Sequence, residues 1–335
     1  MEHAEEDQWT LTLEDGVLFH DKKGRPKDYP CPPYPLMDTH GHLTAFWEAQ
    51  PAHAVARAAF AGVCRLVVPL DPADDARDAE PTLASLEGWL AEAEGLIGEL
   101  GSRWQIPAFE EPGISAATLP AETRIVAGAH PYGAADYLED PSVKAALGVL
   151  LRSPRCVGIG EIGLDYTCDV DHGQQKEAFR QQLVLAGELG LPVELHIRDA
   201  KGDGCAEAHH DALQVLEEAG VPEAGADLHC YTGDREILAP YLALGCSVAF
   251  GGALTFRKSD DIRDAALSAP RECLLSETDC PYMAPVPMRG REGEPALVGF
   301  TAAALADLRL AAGLAKTKEE TYQALWENGS RLFYR

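Results

Sequence analysis

The sequence of 335 residues contains no apolar run approaching the roughly 20 residues that a membrane-spanning helix needs. Its first residues are acidic, whereas a secretory signal begins with basic residues and continues with an apolar stretch. We therefore expect a cytoplasmic protein with no membrane anchor.

Closely spaced cysteines are absent as well. The nine cysteines are scattered along the chain, and no two have the CxxC spacing of a zinc knuckle or a redox motif. Scattered thiols in odd number are typical of a reducing compartment, so we expect free thiols and no disulfide scaffold.

Basic residues are scarce. The chain has 28 Lys and Arg residues against 54 Asp and Glu residues, which gives a formal net charge of -26. Such a charge repels a polyanion at long range unless local cations intervene. This argues against extended, nonspecific binding of duplex DNA through a basic face.

The chain does carry a regular alternation of strand-like and helix-like segments from residue 34 onward. Eight short apolar runs have the composition of buried strands, at 34–39, 65–70, 124–129, 156–163, 192–197, 226–231, 246–252 and 272–279. Helical spacing occupies 51–61, 81–100, 135–151, 174–190, 207–220, 234–244, 259–268, 298–313 and 317–328. Eight βα units in one chain predict an α/β fold, the (β/α)8 TIM barrel.

Two segments fall outside this alternation. Residues 1–33 form an N-terminal extension with a hairpin-like stretch at 11–19, and the barrel is predicted to occupy 34–335. Residues 71–123, after the second strand, are longer than a crossover helix requires and are acidic and broken by prolines. We expect this insertion to reach the surface near the barrel mouth.

Ionisable residues stand at the ends of several predicted strands. His40 and His42 lie two residues apart at the end of the first strand, where alternation puts both imidazoles on one face. Four more residues close later strands: Glu161, His196, His229 and Asp279. Because the carboxyl ends of barrel strands meet at one rim, all six are expected to converge where barrel enzymes keep their active sites.

The alternative interpretation is a chance set of hydrogen-bonded core histidines and ion pairs. It requires four imidazoles and two carboxylates to share one rim by accident, although unpaired charge at the end of an apolar strand is costly. Four imidazoles and two carboxylates instead suit two divalent cations about 3.5–4 Å apart. The sequence does not distinguish Mg²⁺, Mn²⁺ and Zn²⁺.

The order of the residues also predicts their roles. Glu161 is the expected bridge, with His40 and His42 on one ion and His196 and His229 on the other. Asp279 completes the first ion and serves as general base, so that Asp279 and Glu161 are the predicted catalytic residues. A pair of metals that activates a hydroxide predicts hydrolysis.

The motifs that carry these residues resemble the TatD family of metal-dependent deoxyribonucleases, within the amidohydrolase superfamily. The matching segments, in family order, are MDTHGH, GEIGLDY, the helix-strand stretch ending in HIRDA, LHCYTG, GGALTFRK, LLSETDCPYMAP and MRGREGEP. The resemblance covers nearly everything from residue 36 to 335. The resemblance implies the same six metal ligands. It also implies that His130 and Arg198 contact the substrate near the scissile phosphate.

The roles of the predicted substrate-contacting residues have alternative interpretations. By residue type alone, His130 is as compatible with a loop anchor and Arg198 with a surface ion pair. Gly293 and Thr167 depart from the family pattern, which usually has Asn and Tyr there, and these departures concern substrate contacts more than metal binding.

The predicted function is therefore cleavage of phosphodiester bonds in single-stranded DNA or DNA ends, by an exonuclease with two divalent cations. One alternative is an amidohydrolase or lactonase that acts on a small molecule with the same metal centre. The other is a binding or scaffold protein descended from such a hydrolase, which the complete ligand set disfavours. The sequence shows no sign of an obligate protein partner.

Overall fold

The computed structural model describes residues 17–101, 104–110, 113–202 and 204–334. Its central feature is a sheet of eight parallel strands in which each strand pairs with the next along the chain. The strands are β1 (Leu36–Asp38), β2 (Val63–Leu70), β3 (Arg124–Ala127), β4 (Cys156–Asp165), β5 (Val193–Arg198), β6 (Ala226–Leu228), β7 (Ser247–Phe250) and β8 (Leu274–Ser276).

Backbone hydrogen bonds join the two outer strands just beyond their carboxyl ends. Asp279 N–H donates to the carbonyl of His40 at 2.9 Å, and His42 N–H donates to the carbonyl of Cys280 at 2.8 Å. These bonds bring the first and last strands together and complete the ring of strands. The (β/α)8 barrel predicted from the sequence is confirmed.

Helices surround the sheet. They are α1 (Pro51–Phe60), α2 (Ala79–Leu100), α3 (Leu119–Glu122), α4 (Ala134–Glu139), α5 (Pro141–Leu150), α6 (His172–Leu189), α7 (Glu207–Ala219), α8 (Arg235–Ala243), α9 (Asp260–Ser268), α10 (Val298–Ala311) and α11 (Lys318–Phe333). Within the described ranges, none of them is both long and apolar enough to cross a membrane.

The helix predicted over 135–151 is divided in two. Pro141 cannot continue the preceding helix, because it lacks an N–H and restricts the residue before it to extended backbone. Asp140 adopts that extended conformation and caps α5 by accepting the N–H of Ser142 at 2.8 Å. Pro141 therefore ends α4 and begins a second helix, α5.

The described part of the N-terminal extension packs on the barrel. Residues Phe19–His20 pair antiparallel with Pro26–Lys27, and the ring of Phe19 lies 5.1 Å from Tyr29 and 5.6 Å from Phe300 of α10. The turn of the hairpin-like stretch predicted at 11–19 lies outside the described residues.

The segment 71–123 starts at the barrel mouth and ends at β3. Its first residues line the cavity described below, and α2 then packs against α1 and α5. The domain boundaries drawn at residues 33 and 34, and the description of 71–123 as an insertion, stay predictions.

Candidate metal centre

The structure brings all six predicted ligand side chains to the carboxyl-terminal end of the barrel. Four of them follow a strand: His40 and His42 follow β1, His229 follows β6 and Asp279 follows β8. The other two lie within strands, His196 near the end of β5 and Glu161 in the second half of the longer β4. The short strands β1, β6 and β8 end before their ligands, which therefore lie in the loops at the barrel mouth.

Glu161 lies at the middle of this cluster. Its Oε1 atom is 3.5 Å from Nε2 of His40 and 3.4 Å from Nε2 of His42, and the two Nε2 atoms are 3.2 Å apart. Its Oε2 atom is 3.3 Å from Nδ1 of His196 and 3.1 Å from Nε2 of His229, and those two nitrogens are 3.1 Å apart. The two carboxylate oxygens thus face two separate histidine pairs.

These spacings fit two metal ions. Ligand atoms bound tetrahedrally at about 2.0–2.1 Å lie about 3.3 Å from one another, and each triplet of donors around Glu161 has spacings close to that value. The atoms of His40, His42 and Glu161 form one group whose members all lie within 4.8 Å of one another. Two further groups meet the same limit, one of His40, His229 and Asp279 and one of His130, Glu161 and His196. The donor set of nitrogen and carboxylate oxygen suits divalent cations.

Asp279 stands beside the first of these groups. Its Oδ1 atom is 3.8 Å from Nε2 of His40 and 3.7 Å from Nε2 of His42. The backbone of Asp279 has a φ of +52°, a left-handed conformation that Asp and Asn tolerate better than most residues. Asp279 lies in the loop that follows β8, with its carboxylate on the side of the cluster.

Carboxylates contact the outer nitrogens of the histidine rings. Glu194 Oε2 is 2.9 Å from Nδ1 of His40, and Asp165 Oδ2 is 3.1 Å from Nε2 of His196. Burial raises the pKa of Glu194 well above its usual value. Burial also raises the pKa of Glu161, but the His40 and His229 rings outweigh this and hold it well below the usual carboxyl value.

His130, predicted to contact substrate, lies next to this cluster on the side of Glu161 Oε2. Its Nε2 atom is 4.0 Å from that oxygen, and its Nδ1 accepts the backbone N–H of Tyr132 at 3.2 Å. Burial, with a contribution from His196, lowers the pKa of His130 to about 3. Arg198 is exposed at the end of β5 and lines the same opening.

The cluster lies in a cavity of about 1050 Å³ at the barrel mouth. The polar wall is mostly acidic: beyond Glu161 and Asp279 it includes Asp71, Asp74, Asp75 and Asp136. Arg198 is the single Lys or Arg residue among the described residues that line it. Burial raises the pKa of Asp71 to about 8, with smaller contributions from Asp75 and Glu161.

Sequence reasoning missed several of these groups. Glu194 and Asp165 were not singled out, although alternation puts Glu194 on the same face of β5 as His196, two residues away. No sequence motif indicated that the acidic residues of the 71–75 turn line the same cavity as the proposed metal ligands. Of the two departures from the family pattern, Thr167 lies beside Tyr132 and Gly293 packs against Tyr282.

Comparison with known proteins places the chain in a family. The sequence matches the family described as TatD related DNase over residues 37–334. A relative from Bacillus subtilis, named as the uncharacterized metal-dependent hydrolase YabD, is 35% identical over 207 residues, which cover 62% of this chain and 75% of that protein. A relative from Pantoea vagans, named 3′-5′ ssDNA/RNA exonuclease TatD, is 40% identical over 167 residues, covering 49% of this chain and 60% of that protein.

A solved structure shows the same fold. The crystal structure of YjjV, a TatD homologue from Escherichia coli, superposes with a TM-score of 0.66 at 24% sequence identity, covering 90% of this chain and 98% of that one. The prediction of a metal-dependent hydrolase of the TatD type is confirmed, and the chain belongs to the TatD related DNase family.

Proposed function

We propose that the protein is a metal-dependent exonuclease that cleaves phosphodiester bonds of single-stranded DNA. The observation that carries this proposal is the position of Glu161, whose two oxygens face two histidine pairs at the floor of an open cavity. The name of the Pantoea vagans relative supports the substrate class and suggests trimming from the 3′ end.

Six residues would hold two divalent cations, Mg²⁺, Mn²⁺ or Zn²⁺. His40, His42 and Asp279 would serve one ion, His196 and His229 the other, and Glu161 would bridge them. Bound there, the cations would polarise the phosphodiester and lower the pKa of the attacking water.

Asp279 is the proposed general base. Its carboxylate lies at the edge of the cluster that faces the cavity, with 15% of the side chain exposed, so it reaches both the metal-binding histidines and solvent. In this position it accepts the proton of the water that attacks phosphorus.

His130 and Arg198 are the proposed contacts to the phosphate. Because Nδ1 of His130 accepts the Tyr132 N–H, the ring proton of the neutral imidazole lies on Nε2, which points at the cluster. That N–H donates to a phosphate oxygen. The guanidinium of Arg198 has a geometry suited to a pair of phosphate oxygens.

We also infer a cytoplasmic location. All nine cysteines lie in the described part of the chain as free thiols, which is expected of a protein kept in a reducing compartment.

The test is incubation of the protein, loaded in turn with Mg²⁺, Mn²⁺ or Zn²⁺, with one single strand labelled at its 5′ end and one labelled at its 3′ end. Trimming from the 3′ end gives a ladder of shortened products from the 5′-labelled strand and an immediate release of label from the 3′-labelled strand. The Glu161→Ala variant, purified identically, controls for contaminating nucleases.

The alternative function is tested in parallel with a panel of lactones and cyclic amides. Turnover of one of these compounds by protein that leaves both labelled strands intact with every metal would replace the nuclease proposal with that of a small-molecule hydrolase.

A further inference from the structure

Exposed aromatic side chains are concentrated at the mouth of the metal-bearing cavity. Among the described residues, three aromatic side chains are strongly exposed: Trp47 at 60%, Tyr132 at 53% and Tyr282 at 49%. Tyr132 and Tyr282 line the cavity, and the Trp47 ring lies 6.0 Å from the Tyr282 ring. Aromatic rings are costly to expose to water, so their gathering at one opening points to a ligand that covers them.

The three rings stand on two sides of the metal cluster. Tyr282, with Trp47 behind it, lies 6.0 Å from the ring of His42, which faces Oε1 of Glu161. Tyr132 lies 4.4 Å from the ring of His130, which faces Oε2. A substrate group bound at Glu161 is therefore flanked by one aromatic surface on each side.

Hydrogen bonds and close packing fix the first surface. The buried carboxylate of Glu292 accepts the backbone N–H groups of Trp47 and Ala49, each at 2.6 Å. The next residue, Gly293, packs so closely on Tyr282 that a Cβ atom there would lie 2.7 Å from the Tyr282 carbonyl oxygen. Neighbouring residues of one loop thus hold the two aromatic residues side by side.

The second surface is held by different contacts. The backbone N–H of Tyr132 donates to Nδ1 of His130, and the Tyr132 hydroxyl interacts with the side chains of Thr167 and Asp165. The hydroxyl end of the ring therefore lies against the end of β4, while more than half of the residue stays exposed.

The charge of the cavity indicates what these rings bind. Within the described part of the chain, Asp74, Asp75 and Asp279 line it without a Lys or Arg partner in an ion pair, and among the described lining residues Arg198 is the single Lys or Arg. Phosphates other than the one at the metal cluster are repelled by such a wall, whereas nucleobases are uncharged and stack on aromatic rings whatever their sequence. The lining of this cavity therefore favours contacts to bases over contacts to further phosphates.

We propose that Tyr282 with Trp47, and Tyr132 opposite them, are stacking platforms for the nucleobases on the two sides of the scissile phosphodiester. This inference rests on the proposed function and adds to it that the strand is recognised mainly by its unpaired bases. Duplex DNA is a poor substrate on this account, because its bases are already stacked and paired.

The experiment combines variants with abasic substrates. Single strands with a normal scissile linkage, or with an abasic residue on its 5′ or 3′ side, are hydrolysed by the wild-type enzyme and by the Tyr282→Leu, Trp47→Leu and Tyr132→Leu variants, and kcat and KM are measured separately. Tyr282→Phe, Trp47→Phe and Tyr132→Phe keep the ring and test rescue. Leu314→Ala, an exposed apolar position that does not line the cavity, is the control.

Each change to Leu is expected to raise KM for the normal strand on the order of ten-fold, with a smaller change in kcat, and each change to Phe to restore most of the loss. For the wild-type enzyme, an abasic residue on the side of a given platform is expected to raise KM by about the same factor as the Leu variant at that platform. On that abasic strand, the KM of the Leu variant should then be close to the KM of the wild type. On a strand that is abasic on the other side, the Leu variant should still have a KM about ten-fold above that of the wild type.

The platforms are excluded if the wild-type KM is insensitive to abasic residues on both sides, or if each Leu variant loses as much on abasic strands as on normal ones. In either of those cases hydrolysis itself continues and the proposed function stands. Failure of the metal-loaded wild-type enzyme to hydrolyse any single strand instead overturns the proposed function, and the platforms with it.

Discussion

Glu194 lies directly behind His40: its Oε2 atom is 2.9 Å from Nδ1 of the imidazole, and both side chains are fully buried. Glu194 thus faces the ring nitrogen on the far side of Nε2, the atom of His40 that lies 3.5 Å from Glu161 Oε1 in the cluster. Such outer carboxylates fix the tautomer and the orientation of a metal-binding histidine and increase its basicity.

We therefore expect Glu194→Leu to lower metal affinity roughly 10- to 100-fold. Both carboxyl oxygens of Glu194 are buried without a hydrogen-bond partner among the described residues, and an apolar side chain removes the cost of burying them, so urea unfolding of the metal-free variant should match or exceed the wild type. Isothermal titration with Mn²⁺ or Zn²⁺ gives the affinity. Unchanged affinity in a folded variant would show that Glu194 has no part in orienting His40.

Glu161→Ala removes the carboxylate that faces both histidine pairs. We expect activity to fall by orders of magnitude and the number of bound metal ions per chain to decrease, because both proposed ions lose a ligand. Elemental analysis after dialysis measures the stoichiometry. Glu188→Ala, at an exposed position of α6, is the matched control, and full metal content in Glu161→Ala would contradict the bridging role.

Asp279→Asn is expected to reduce kcat roughly 100- to 10,000-fold, the range for loss of a general base, while keeping more metal than Glu161→Ala. Asn tolerates the left-handed backbone at this position, so the fold should be preserved. Single-turnover rates and elemental analysis on one preparation separate the two effects. Near-normal turnover would rule out Asp279 as the base.

The salt dependence of KM should be shallow. Each phosphate contact in a single strand contributes a slope of about -0.7 in a plot of log affinity against log salt, and Arg198 is the one cationic Lys or Arg side chain in the described cavity lining. We expect KM to rise no more than about three-fold between 50 and 200 mM NaCl. A slope several times steeper would require a basic groove elsewhere on the protein.

Asp71 should make the stability of the metal-free protein depend on pH. Its pKa is raised to about 8 in the folded state by burial and by Asp75, Glu161 and Asp74, whereas the unfolded value is about 4. Folding therefore favours the neutral form of Asp71. The contribution of Asp71 to the free energy of unfolding is fully present below pH 4 and is lost as the pH rises toward 8, at up to about 1.4 kcal/mol per pH unit.

The measurement is urea unfolding of wild-type and Asp71→Asn protein between pH 5 and 8. Asn keeps the side-chain oxygen that accepts the Ala73 N–H and cannot ionise, so the variant should lose less stability over this interval. Parallel curves for the two proteins would show that Asp71 keeps an ordinary pKa.

Much of the fold followed from local patterns. The eight strands were predicted because buried parallel strands are short, apolar and separated by amphipathic helices, and six ionisable residues stood out because they end such strands. The division of α4 from α5 was missed although Pro141 signals it, since the apolar spacing continues across the junction.

Of the candidate site, the sequence predicted the six proposed metal ligands but not the residues that contact them from behind. Glu194 and Asp165 act through contacts behind the histidines, and no local pattern tells which buried carboxylate faces which ring. Trp47 lies in a loop and Tyr132 in a single 3-10 turn, Pro131–Gly133. Neither segment is long enough for a periodic pattern that would indicate the neighbours of its aromatic residue.

The amino-acid sequence by itself determined the barrel and the six residues at its rim, because parallel strands in a closed sheet bring their carboxyl ends to one side whatever connects them. Tertiary structure alone decided that the two oxygens of Glu161 face different histidine pairs and that Trp47 lies beside Tyr282. Those relationships depend on loop paths fixed by contacts between residues far apart in the chain, such as the hydrogen bond from the Trp47 N–H to Glu292.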